Sequence, residues 1–444
     1  MSRYHKSIVN LQGVISKVLK LSFWLMAFFM LFQANFWPLF NLELIIQPSE
    51  IFIILFLLVS FVNKSVQLNL DKYNVIALIW VCLNALSLLT IDFENHILIE
   101  VSKPVILFLL YAAVRGYILK YSLDETIKPF IFSVVFASLL AISGWFFHLL
   151  EISNILVLQH ENYPYFGTIG RAKAFTSTPN MLASLVLVAS FLLIYLNFSV
   201  SDGKNKKLYA YLFIILMLAF ILSISKTIVL MVASLFLFFG FYGKIHNKVV
   251  LYFLRIIPIF LFVFYVIASH LVIDLNYGKD IKESQESGYV SNGVQLGDIY
   301  IAPTAYYMIK KGSAEVFKDN ILFGVGPGQY NKHYEALKEK GIYNNKIPNY
   351  DPHSTFLGTL AELGIFAGIY LIISIIILFK DLVHKRKKSL NSNDSLFGLI
   401  LIFLLLAISI ESLVTDIMNF RQYWYLYALT VYYLSDSTNK KRGA

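Results

Sequence analysis

One histidine, His353, stands where loop residues give way to an apolar run, in the stretch NYDPHSTFLGTLAELG from Asn349 to Gly364. An imidazole held neutral in such a place can take a proton from a hydroxyl group. Asp351 and Pro352 read as a helix start, with the aspartate as N-cap and the proline at the first helical position. His353 is then expected in the first turn, where the positive end of the helix dipole disfavours imidazolium. Glu362 follows further along the same run. At about 1.5 Å and about 100° per residue it falls roughly 13 Å beyond His353 and on the opposite face. That excludes a His–Glu dyad along one helix and gives Glu362 a structural role, facing protein with a partner. Three cationic segments, GRAK with Arg171 and Lys173, SISKT with Lys226, and NFRQYW with Arg421, also border apolar runs. Arginine offers paired donors and lysine a point charge, a combination suited to an anionic headgroup and above all to a diphosphate. The plainer alternatives are a cation snorkelling to an interface or pairing with an acid, and Asp416 near Arg421 makes pairing concrete there.

The elements that must position these residues are membrane helices. The chain has 444 residues, 58% of them hydrophobic and only 14% charged, with a mean hydropathy of +0.67. Apolar runs of about 18 residues or more recur throughout, so the fold class is an all-α integral membrane protein. The net charge of +10 comes from short basic clusters between these runs, the pattern of the positive-inside rule rather than of a nucleic-acid groove. Cys82, the lone cysteine, lies inside an apolar run, which excludes an internal disulfide and a cysteine-based metal site. No other metal site is read, and no cofactor.

About twelve spans are expected, at residues 21–40, 45–62, 74–91, 97–114, 129–150, 181–198, 208–225, 227–243, 249–273, 354–379, 397–415 and 420–435. The run from Leu208 to Gly243 is too long for one crossing, and the polar residues Ser223 to Lys226 divide it. Lys204, Lys206 and Lys207 before it, and Lys244 and Lys248 after it, mark cytoplasmic ends, so Lys226 belongs to an outer hairpin. The loops at Asn41–Glu43 and Asp92–His96 carry no Lys or Arg and are read as outer loops, whereas Lys385–Lys388 and Lys440–Arg442 are read as cytoplasmic. Residues 1–273 therefore hold the first nine helices, residues 274–353 form a long extracytoplasmic loop between the ninth and tenth, and residues 354–444 hold the last three helices and a cytoplasmic tail. His96, His160, His270 and His333 share the outer side with His353, which is singled out by its helix start after the long loop. Glu100 and Lys103, three apart in the fourth span, are expected to pair.

FGVGPGQY (Phe323–Tyr330), a polar stretch, and then HSTFLGTLAELGIFAG (His353–Gly368) together resemble the signature of the O-antigen ligase and O-antigen (Wzy-type) polysaccharide polymerase superfamily. GRAKAF…PN and SISK fall where that family carries its outer arginine motifs, and the resemblance covers most of the chain. It implies transfer of a glycan from undecaprenyl diphosphate, without a metal or nucleotide sugar, on the outer face of the bacterial inner membrane. His353 would activate the acceptor hydroxyl, and Arg171, Lys226 and Arg421 would hold the leaving diphosphate. The chain departs from the pattern at Lys226, where arginine is usual. It departs again before the glycine turn, where Lys310 and Lys311 are the nearby cations, able to replace an arginine as charges but not as bidentate clamps. Gly324, Gly326 and Gly328 are read as shaping a turn. The partners implied are an undecaprenyl-diphosphate-linked oligosaccharide, a glycan or lipid A core acceptor, the bilayer and a chain-length regulator; nucleic acid is not among them. A polymerase is favoured, because nothing identifies a lipid A surface. A ligase of the same chemistry is the alternative, and a flippase, which would show related halves and broken helices with polar residues at the midplane, is the alternative of another class.

Overall fold

The computed structural model describes residues 2–33, 47–86, 95–163, 167–199, 203–242, 245–274, 293–343, 347 and 349–439. The loops at Asn41–Glu43 and 92–94, much of the long loop (275–292) and Lys440–Arg442 lie outside the described residues.

Nine helices among the described residues precede the long loop: α1 (Ser2–Phe29), α2 (Pro48–Val62), α3 (Lys72–Leu86), α4 (Asn95–Lys120), α5 (Leu123–Leu149), α6 (Pro179–Ser199), α7 (Gly203–Leu222), α8 (Thr227–Tyr242) and α9 (Lys248–His270). Then come α10 (Ala305–Asp319), the short α11 (Tyr334–Glu339), α12 (Thr355–Lys388), α13 (Ser392–Glu411) and α14 (Arg421–Asn439). Each expected apolar run overlaps a helix, with residues 34–40 of the first and 87–91 of the third outside the described residues. Seven of these helices, α4 to α7, α9, α12 and α13, are long and apolar enough to cross a membrane among the described residues, which makes the chain a predominantly helical membrane protein. α2, α3 and α8 are apolar but shorter. α6 is the central helix, with 89% of its apolar window buried against 11% for α9 at the periphery.

Local chemistry sets several boundaries. The expected first span, 21–40, is covered only in part: α1 starts earlier, running from Ser2 through the basic leader to Phe29, the Gln33 side-chain amide donates to the Met30 carbonyl (3.2 Å) just past its end, and residues 34–40 lie outside the described residues. α2 opens on Pro48, and the Glu50 carboxylate accepts the Gln47 backbone N–H at 2.9 Å, closing the first turn. Ser122 caps α5 by accepting from the Glu125 N–H (3.1 Å), while Lys20 reaches the Glu125 carboxylate (2.7 Å) and ties α1 to α5. The polar residues Ser223–Lys226 separate α7 from α8, as read from the sequence, with Ile224 at φ +45° in the turn.

Two small antiparallel sheets were not foreseen. β1 (Val157–Tyr163) pairs with β2 (Gly167–Ala172), setting Leu158 opposite Arg171. β3 (Leu271–Asp274), β4 (Val294–Leu296) and β5 (Ile299–Pro303) form a sheet in the order β3-β5-β4. The strand β5 leads directly into α10, which packs along α12. Ile309, Val316, Val325, Tyr330, Leu337, Tyr343 and Ala361 form a second core, distinct from that of the helical bundle, so the loop region carries its own packing onto α12.

Candidate active site

The expected tenth span, 354–379, is the element that differs most. α12 begins at Thr355 and is interrupted at Gly364 (φ +77°, ψ −174°), two residues after Glu362. An unbroken helix would take the Ile365 N–H to the Ala361 carbonyl. Here Ile365 N–H donates instead to Ile321 O (2.8 Å), while Val325 N–H takes Ala361 O (2.9 Å) and Gly326 N–H takes Glu362 O (2.8 Å). The glycine turn thus replaces the helical hydrogen bonds that the break removes. Gly324, Gly326 and Gly328 all have positive φ, and a Cβ on Gly324 would lie 2.3 Å from the Glu362 carbonyl carbon. Close approach of two backbones and left-handed φ both demand glycine. The break also moves Glu362: it lies against this turn, rather than part-way down a continuous membrane helix.

The N-cap reading is corrected as well. Ser354, not Asp351, caps α12, its hydroxyl accepting from the Leu357 N–H at 3.4 Å. His353 precedes the helix with φ +46°, a left-handed conformation that is uncommon for residues other than glycine. Its ring is held edge-on between Tyr306 (centroids 5.0 Å apart) and Tyr350 (5.4 Å). Its pKa falls from 6.5 to about 4, chiefly through burial, with Lys310 lowering it further and Asp351 opposing. The imidazole is therefore neutral, as expected, but desolvation and not a helix dipole is the main cause.

The cations come from three places in the chain: β2, the α7–α8 turn and α10. Arg171, on β2, is buried; its Nε donates to Ser223 O (3.0 Å) and an Nη to Asn180 Oδ1 (2.9 Å). Asn180 Oδ1 also accepts from the Ser225 hydroxyl (3.0 Å), fixing the α7–α8 turn beside β2. Lys226, on that turn, donates to the carbonyl of Ala268 near the end of α9. Lys310, on α10, is 6% exposed and meets His270 Nε2 at 2.6 Å, while His270 Nδ1 lies 2.6 Å from Val266 O. Carbonyl bonding at Nδ1 puts the ring proton there and leaves Nε2 to accept from the lysine. Burial and then Arg171 bring Lys226 down to about 8; burial and then Lys226 bring Lys310 down to about 7. Lys173, beside Arg171, is also lowered by burial. Neither Lys226 nor Lys310 forms an ion pair with a carboxylate among the described residues.

Two candidates stand elsewhere. Lys311 is exposed, since neighbouring helix residues point about 100° apart and only one of the pair can face the cluster. Arg421 has an Nη 3.2 Å from both Gln47 Oε1 and Glu50 Oε1, so it is engaged with the start of α2. Asp416, its expected partner, instead accepts from the Thr355 hydroxyl and the Met418 N–H, both at 3.3 Å. His270 and Asn180 are the functional candidates that sequence reasoning passed over. Asn180 closes the quoted GRAK…PN segment, but nothing local links His270 to Lys310, 40 positions away.

No protein-family profile and no curated protein sequence matches this chain.

Proposed function

We propose that the chain is a membrane glycosyltransferase that moves a glycan from an undecaprenyl-diphosphate carrier to a sugar hydroxyl, and that it acts as an O-antigen or capsular polysaccharide polymerase. The observation that carries this reading is a run of neighbouring cations from Arg171 through Lys226 to Lys310, which in turn acts on His353: burial and then Arg171 lower Lys226, and burial and then Lys226 lower Lys310. Buried cations facing one another are costly unless an anion joins them. A diphosphate supplies that charge, and does so most strongly as a glycosyl bond breaks.

In this reaction the acceptor oxygen attacks the anomeric carbon, and the neutral His353 takes its proton. The bond from that carbon to the diphosphate oxygen breaks, and the electron pair leaves with the diphosphate. Arg171 supplies paired donors, Lys226 and Lys310 supply charge, and His270 orients Lys310. Lys310 stands in for the arginine that the family pattern carries before the glycine turn. The twelve-span arrangement with both ends cytoplasmic, the bacterial inner membrane and an outward-facing loop belong to the same proposal, as does a chain-length regulator as partner. The freed backbone groups of the α12 break bond to the 321–326 segment, which favours this reading over a transporter, whose broken helices line a water-filled passage.

The test is the surface-glycan profile of a deletion strain carrying wild type or His353→Ala, with protein levels matched. Single-repeat products in the deletion, and long chains restored only by wild type, establish the polymerase. Long chains left on the lipid carrier make the protein a ligase instead. Restoration by His353→Ala removes the histidine from the mechanism.

A further inference from the structure

Asp351 opposes Lys310 at the His353 imidazole and also lines a polar cavity of about 180 Å³ between α3, α4, the glycine turn, the first half of α12 and the α13–α14 connection. Trp80, Glu100, Asn331, Glu362 and Asp416 share its wall. Lys103 is the cation there, and Glu100 already holds it at 2.5 Å.

Hydrogen-bond acceptors are in excess in this cavity. Asp351 receives the Asn331 amide at 3.0 Å, Asp416 receives two donors at 3.3 Å, and the Glu362 carboxyl receives the Gly328 N–H. A carboxyl group, protonated or ionised, can accept more than one hydrogen bond, and burial raises the proton affinity of Asp416, so each retains acceptor capacity whichever form it takes. The Asn331 Oδ1 is buried with no partner at all among the described residues. No group of three or more His, Cys, Asp or Glu comes together to hold a metal ion among the described residues, so the acids surround a space rather than a point. The ligand that completes such a wall brings O–H or N–H donors on several sides, offers an apolar face to Trp80, and carries no negative charge.

We propose that this cavity is the acceptor subsite, taking the hydroxyl-bearing end of a neutral or amino-substituted glycan and rejecting uronic acids. The inference rests on the transferase reading above. His353 then stands at the boundary of two compartments of opposite charge. The cationic one holds the donor diphosphate; the acidic one repels it and receives the attacking sugar.

The test uses the full chain in lipid nanodiscs, titrated with three disaccharides: neutral chitobiose, its de-acetylated cationic form and digalacturonate. Binding is followed by saturation-transfer NMR and by the fluorescence component that Trp80→Phe removes. Chitobiose and the amino sugar bind saturably, and digalacturonate binds at least 10-fold more weakly. Asp416→Asn, or Asp351→Asn should the first variant fold poorly, narrows that gap at least threefold. Equal binding of digalacturonate, no saturable binding of any sugar, or an unchanged gap in the variants overturns the proposal. Inorganic pyrophosphate is added to the same samples. If it raises the unfolding midpoint while the sugar arms fail, only the acceptor site falls. If it has no effect, the transferase reading falls with it.

Discussion

Two buried arginines, Arg115 and Arg171, sit among different neighbours. Arg115, on α4, meets Asp71 at 2.5 Å and also donates to Asn74, Tyr111 and Ser435. Asp71 in turn accepts the backbone N–H groups of Tyr73 and Asn74, capping α3. One ion pair therefore fastens α3, α4 and the end of α14. Arg171 is as deeply buried, at 8% exposure against 5%, but its neighbours include Lys226, which feels it as a like charge. A cation matched by a carboxylate is a fastening. Lys226 and Lys310 have no carboxylate partner among the described residues, and under the proposed function their countercharge arrives with the substrate.

The largest effects should fall at the second kind of region. His353→Ala is expected to lower the transfer rate about 10²–10⁴-fold, the usual worth of a positioned general base, measured with a lipid-linked donor in nanodiscs. Lys310→Met and Arg171→Met are expected to cost about 10²–10³-fold each. The same Lys310→Met change leaves the unfolding midpoint of the free protein unchanged or raises it, because it removes a buried charge that has no carboxylate partner among the described residues. Arg115→Met reverses the pattern: it strands Asp71, costs about 3–5 kcal/mol of stability, and leaves the activity per folded molecule near wild type. If Lys310→Met destabilised as much as Arg115→Met, the distinction between fastening and site would be lost.

Arg421 sharpens the comparison, because sequence reasoning placed it with the diphosphate and its geometry places it with Arg115. Its guanidinium meets Glu50, 371 positions away. A double-mutant cycle of Arg421→Gln and Glu50→Gln is expected to give a coupling of about 0.5–2 kcal/mol in unfolding. Pyrophosphate-induced stabilisation should persist in both single variants. Its loss in Arg421→Gln alone would return Arg421 to the anion site.

That reassignment illustrates what one sequence can carry. Hydropathy finds apolar runs because each is a local property, and every expected run overlaps a helix among the described residues. The division at Ser223–Lys226 was legible because four polar or charged residues interrupt the run. The break at Gly364 was not: Leu363, Ile365 and Phe366 continue the apolar pattern across it, and the hydrogen bonds that replace the helical ones come from residues some forty positions earlier. The cap at Ser354 was hidden by a competing and plausible start at Asp351. The cationic cluster was half legible. Charges near apolar runs stand out, but the choice of Lys310 over Lys311, and the contact with His270, depend on which face α10 turns inward.

The smallest expected effect is a change in pH profile. In the free protein, transfer efficiency should rise as His353 loses its proton through about 4 and fall as Lys310 and then Lys226 lose theirs through about 7 and 8. The stability contributions follow the same groups. Between about 4 and 6.5 the unfolded chain holds more protons on His353 than the folded one. Stability from this group therefore rises with pH across that window and is lost as pH falls through it. Lys310 and Lys226, also lowered, become less unfavourable to the fold as pH climbs from about 7 toward 10.5. Activity and stability should therefore diverge above pH 7, one falling while the other rises, as expected where cations are kept for a ligand and not for the fold. Lys310→Arg tests this directly, since a guanidinium stays protonated throughout. The alkaline limb should then follow Lys226 and move above about 7, stopping short of about 8 because the fixed charge at position 310 also lowers Lys226. An unmoved limb would mean that the charge of Lys310 is not what the donor needs.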